Sequence, residues 1–354
     1  MRLMLSLANI LPAARLAVLA YKGRTRPDCE TRMRRCAPTM MGVVLLPMLA
    51  RRPPARLLVA ILIPLLLAIS FAGHGAALAT PVQLGAQDEE ATPFRRQLWL
   101  VPTQDPHLPA RAVLFRRPGA GPFPLAVIAH ASTQNALRRA QMPQPDYTAL
   151  SSWLVGRGFA VLVPERPGHG ATGGSYLEDQ GGCETADYDR AGRATAGSIL
   201  AALEFLRRQN FIRRDGTLVV GHSAGGWGAL VLAGENPPGL SRVIVFAAGR
   251  GGHADDAAGV VCAPDRLIAA ATTFGRKARV PVSWLVAAND SYFPPSLSQQ
   301  LANAFATGGD KVDFRVLPAS GDEGHWLVET EAGLASAASI LGSALKMTAL
   351  PAKK

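Results

Sequence analysis

Six continuous apolar runs, separated by segments of helix length, constrain this 354-residue chain more than any other feature. They are "FPLAVIAH" (123–130), "FAVLVPE" (159–165), "TLVVGH" (217–222), "SRVIVFAAG" (241–249), "VPVSWLVAAND" (280–290) and "VDFRVLPA" (312–319). Such runs are expected of strands covered on both sides. Amphipathic segments at 146–157, 186–209, 224–234, 295–307 and 327–346 fall between and after the runs. Strand and helix in alternation build a mostly parallel sheet flanked by helices on both faces, which is the α/β class. Ahead of this block, "RQLWLVP" and "ARAVLFRRP" flank the turn-rich "TQDPHLP" and read as an antiparallel pair.

The third run leads into "VVGHSAGGWGALVLAG" (219–234), which sets Ser223 between Gly221 and Gly225. A serine held on a sharp turn between a buried strand and a helix presents its hydroxyl at the edge of a sheet, and such a turn needs small neighbours. The stretch supplies all of these: a β-branched strand, a glycine two positions either side, and an apolar helical pattern from 227 onward. The alternative is a glycine-rich turn with no chemistry.

Five motifs then occur in one order: "AHAST" (129–133), "VPERPGHGATGG" (163–174), "GHSAGG" (221–226), "AANDSYFPP" (287–295) and "DEGHW" (322–326). Together they resemble the α/β-hydrolase superfamily, in particular exported serine hydrolases related to dienelactone hydrolase and to the prolyl-oligopeptidase catalytic domain. The resemblance covers roughly residues 96–346. It implies an α/β-hydrolase fold with a small lid insertion, drawn from residues 250–279 and 171–185, and a site of serine, acid and histidine in that chain order. A serine hydroxyl is a weak nucleophile at neutral pH and needs an oriented base.

Only His253 and His325 follow Ser223. His253 falls in a loop expected over the site, and His325 follows the last strand, so His325 is the base expected. Asp290 stands at the carboxyl end of a buried strand, where sites in such sheets gather, and is the acid expected; capping the next helix is its other reading. Asp322 and Glu323 are read as solvated loop charges. An oxyanion hole needs two N–H donors. One is expected from Ala224; by resemblance the second is Ser132, with Ala131 next, and Ala131 stands where the family usually has glycine. His130, Arg166 and His169 read as loop scaffolding. A neutral His325 would make activity fall as pH drops through roughly 6 to 7.

The net charge of +11 would suggest an anionic partner if it were spread over the chain. Residues 1–79 hold 11 of the 37 basic and two of the 26 acidic residues, so the remainder is nearly neutral and nucleic-acid binding loses its basis. From Met48, "MLARRPPAR", the apolar 57–71 and "ALA" (77–79) follow the order of an export signal cleaved before Thr80. A retained anchor at 57–71 is the alternative, although that run is short for a bilayer. The expected layout is therefore a leader at 1–79, a linker at 80–95, a catalytic domain at 96–347 and a tail at 348–354. Cys29 and Cys36 precede the cleavage site, which leaves Cys183 and Cys262 as a disulfide in an exported protein. No cysteine spacing suits zinc, and no cofactor is expected.

The expected activity is ester hydrolysis through an acyl-enzyme, on a small-molecule ester of modest size, with the membrane met only during export. Peptide hydrolysis of the prolyl-oligopeptidase kind is the second reading. It ranks lower because those enzymes carry a large accessory domain, which the sequence after residue 80 does not supply. A non-catalytic binding protein on this scaffold is the third.

Overall fold

The backbone enters the sheet through an antiparallel margin. In the computed structural model, which describes residues 82–308 and 312–346, strands β1 (Gly85–Ala86), β2 (Gln97–Val101) and β3 (Ala110–Phe115) pair antiparallel, and β3 pairs antiparallel with β5 (Ala160–Pro164). From there the sheet is parallel. Strand β4 (Leu125–Ala129) lies between β5 and β6 (Thr217–His222), followed by β7 (Leu240–Phe246), β8 (Val282–Ala287) and β9 (Val312–Leu317). The spatial order is β1-β2-β3-β5-β4-β6-β7-β8-β9. The export signal, the alternative anchor, Cys29, Cys36 and the whole tail lie outside the described residues.

Every residue of β4, β5, β6 and β8 is buried, which is what their unbroken apolar composition requires, whereas β9 departs from the expectation of two covered faces: it is the edge strand, and its Asp313, Arg315 and Val316 are exposed. The helices are α1 (Ala136–Ala140), α2 (Thr148–Gly156), α3 (Tyr188–Arg207), α4 (Ala224–Glu235), α5 (Pro264–Gly275), α6 (Pro295–Ala306) and α7 (Glu331–Lys346). Two separate hydrophobic clusters form, one on each face of the sheet. Trp227, Trp284, Phe274 and Phe305 belong to the first, and Leu150, Leu154, Leu334 and Leu341 to the second. Helix α4 is buried over 11 of its 12 residues, so its sequence shows no polar face.

The region at 250–279 differs from the sequence reading. Only its first part covers the site, because residues 264–275 form α5, packed against α4 and α6. Its buried positions, Leu267, Ala270, Ala271, Phe274 and Gly275, follow the helical repeat, and Pro264 opens its first turn. Among the described residues no helix is long and apolar enough to cross a membrane.

Candidate active site

Ser223 sits between the end of β6 and the start of α4 with φ 54° and ψ −119°, a left-handed conformation rare for any residue with a side chain. Close approach on both sides explains the glycines. A Cβ at Gly221 would lie 2.4 Å from the Gly226 Cα, and one at Gly225 would lie 2.1 Å from the Ala129 carbonyl oxygen. The Ser223 N–H donates to the Phe246 carbonyl at 2.9 Å, which pins the turn to the neighbouring strand.

Asp290 and His325 come from the loops that follow β8 and β9. His325 Nδ1 lies 3.3 Å from both Asp290 carboxylate oxygens, and both side chains are buried. Asp290 Oδ1 also accepts the backbone N–H groups of Tyr292 and Phe293, each at 2.9 Å, so one carboxylate caps the turn and faces the histidine. The cap falls on the turn at 292–293 and not on helix α6, whose N-terminus receives no side-chain cap. Burial pushes the His325 imidazole below the ordinary histidine range, with the Asp290 contact opposing that shift. Ser223 Oγ makes no hydrogen bond among the described residues. Catalytic hydrogen bonds are commonly loose until substrate binds.

Ala224 and Ser132, the residues expected to supply the oxyanion donors, line the same cavity as Ser223. The Ala224 N–H and Ser132 N–H are engaged by no described residue, whereas the Ala131 N–H donates to Tyr147 Oη at 3.1 Å. Ser132, Ser223, Ala224, Tyr292, His325 and Trp326 line one cavity of about 880 Å³. That volume lies toward the upper end of the roughly 300–1,000 Å³ typical of small-molecule sites. Among the described residues no group of three or more His, Cys, Asp and Glu side chains is arranged to hold a metal ion.

Several supporting residues escaped the sequence reading. Glu323 is no solvated charge: its carboxylate accepts the Ser291 hydroxyl, the Ser291 N–H at 3.1 Å and the His325 N–H at 2.9 Å, which joins the acid loop to the histidine loop. Asn289 adds a second tie. Its side chain accepts the Ser320 N–H at 2.9 Å and donates to the Gly321 carbonyl at 3.0 Å. Tyr292 stacks between His253 and His325, with ring centroids 3.6 and 4.3 Å away. Such pairings across loops leave no spacing signature.

His130, Arg166 and His169 are buried beside the oxyanion loop. His130 Nδ1 lies 2.6 Å from the Ala131 carbonyl, and its Nε2 accepts the Arg166 N–H at 3.1 Å. His169 Nε2 lies 2.7 Å from Ser132 Oγ. Burial lowers the His169 pKa to about 4, and its Nδ1 faces the Arg166 and Pro167 carbonyls, which only accept, so Nε2 accepts a hydrogen bond from the Ser132 hydroxyl. Glu178 lies between the Arg166 and Arg250 guanidinium groups. Burial would raise its carboxyl, but the two arginines outweigh that and hold it well below the usual carboxylate range. Cys183 and Cys262, both at the cavity wall, are joined by a disulfide.

Residues 145–249 match the model of the Prolyl oligopeptidase family, a span that carries Ser223 and stops before Asp290 and His325. No curated protein matches the chain. Among solved structures, a Pyrococcus furiosus esterase is similar at 13% identity and a TM-score of 0.51, over 75% of this chain and 99% of that one. A puromycin-hydrolyzing peptidase of Mycobacterium tuberculosis is similar at 16% identity and a TM-score of 0.51, over 71% of this chain and 40% of that one. The Pyrococcus horikoshii acylaminoacyl peptidase is similar at 12% identity and the same TM-score, over 71% of this chain and 41% of that one. The chain thus spans about two fifths of the length of those two peptidases.

Proposed function

We propose that this chain, an α/β-hydrolase by fold and by its match to a hydrolase family, is a serine esterase working through an acyl-enzyme. The observation that carries this reading is one of geometry. A serine on a left-handed turn shares a cavity with a buried histidine whose far nitrogen faces a buried aspartate.

In this reading Ser223 Oγ attacks the ester carbonyl carbon while its proton passes to His325 Nε2. Asp290 holds the Nδ1–H and stabilises the imidazolium that forms. The oxyanion is received by the Ala224 and Ser132 N–H groups. As the carbonyl re-forms, the ester C–O bond breaks and His325 returns the proton to the departing alcohol. Water, deprotonated by the same nitrogen, then releases the acid and restores the serine.

Peptide hydrolysis is kept as a second reading because the family match and the two peptidase likenesses favour it. The cavity leaves room for a bulky acyl or alcohol group, larger than the modest substrate that a small lid suggests. Nitrophenyl esters of increasing chain length, run beside aminoacyl-nitroanilides, discriminate the two. Turnover of the esters with little anilide cleavage is expected, and the reverse would favour the peptidase. Ser223→Ala should lower ester turnover on the order of 10⁶-fold while the melting temperature stays near that of the parent. Near-normal turnover would sink the assignment. The protein is further proposed to be exported; the disulfide is compatible with an oxidising compartment.

A further inference from the structure

Behind Ser223, a single file of hydrogen bonds joins the oxyanion loop, the nucleophile turn and the histidine loop. The Ala131 N–H donates to Tyr147 Oη at 3.1 Å, Tyr147 Oη lies 2.9 Å from His222 Nδ1, and His222 Nε2 lies 2.8 Å from the His325 carbonyl oxygen. Ala131, Tyr147, His222 and His325 are all buried. A carbonyl oxygen only accepts, so His222 Nε2 carries a hydrogen, and at the other end of the file the phenol oxygen accepts from Ala131.

Glu329 is the charged group facing this file, with Oε1 3.2 Å from His222 Nδ1. Tyr147 itself is fixed in place: it adopts φ 46° and ψ 50° ahead of α2, and its carbonyl accepts the Ser151 N–H at 2.8 Å.

We infer that Tyr147 is a positioning residue for the oxyanion hole. By accepting the Ala131 N–H, it turns that donor away from the cavity, leaves the Ser132 N–H as the partner of Ala224, and holds the loop against the nucleophile turn. The sequence leaves two adjacent N–H groups as candidates; a phenol 16 residues further on selects between them. This inference rests on the reading of Ser223 as nucleophile.

Tyr147→Phe tests it, because phenylalanine fills the same space and cannot accept the Ala131 N–H. Active sites are titrated with a fluorophosphonate, nitrophenyl ester turnover is measured per titrated site, and inhibition by an aryl boronic acid is compared, since its tetrahedral adduct puts an oxygen in the hole. The expected result is a fall in kcat of about 10-fold, less than the roughly 10²–10³-fold of losing a donor outright. KM should stay within about twofold, while the boronate inhibition constant should rise by a factor similar to the fall in kcat. Should this variant yield no titratable sites, His222→Gln breaks the same file at its middle and is expected to show the same pattern. Unchanged kcat and boronate affinity per site, or a change in KM alone, would overturn the positioning role. A wild-type protein left unlabelled at Ser223 would overturn the hydrolase reading itself and the inference with it.

Discussion

Ser223 keeps a backbone conformation that costs of order 1–3 kcal/mol and persists only because its surroundings impose it. In the proposed mechanism His325 must be neutral to take the serine proton. Its pKa lies below the ordinary histidine value of about 6.5, because burial disfavours the charged ring more than Asp290 favours it. The protonated, inactive form therefore accumulates only at more acidic pH than the sequence suggested. We expect the acid limb of kcat/KM below roughly 6.5, rather than spread across 6 to 7. A limb centred above 7 in a pH–rate profile would contradict the burial argument. Ser223, Asp290 and His325 were legible as candidates because each follows a strand and the resemblance gives their order. The partners that hold them were not. Glu323 looked like one more loop carboxylate, and its bonds to Ser291 span 32 residues of sequence.

At the scale of elements, the strands were legible almost to their ends, since a doubly buried strand has little choice of composition. "TLVVGH" coincides with β6. Helix α5 was missed for a physical reason: three of its five buried positions are Ala or Gly, so its apolar stripe barely contrasts with its neighbours. The cover over the site is therefore shorter than expected and depends on the bond between Cys183 and Cys262, which closes 79 residues of chain. For a loop of that length, cross-linking removes unfolded-chain entropy worth up to about 4 kcal/mol. Reduction should lower the melting temperature and widen the range of accepted esters, with less effect on turnover of a small one. An unchanged melting curve in reductant would show that the link does not restrain the cover.

For the whole molecule, the basic surplus concentrated in residues 1–79 belongs to the proposed leader, and the body has nearly balanced charge. Export with cleavage after Ala79 predicts a mature chain that begins at Thr80, which N-terminal sequencing of the exported protein would establish. A mature chain that retains residues 57–71 would mean an anchor instead. The central claim is that Ser223 is a nucleophile, and intact-mass analysis after fluorophosphonate treatment, with the adduct mapped by digestion, tests it most directly. A single adduct on Ser223, formed in step with loss of ester hydrolysis and absent from Ser223→Ala, is the predicted result. Hydrolysis that continues with Ser223 unlabelled, or an adduct on a different serine that abolishes activity, would contradict it.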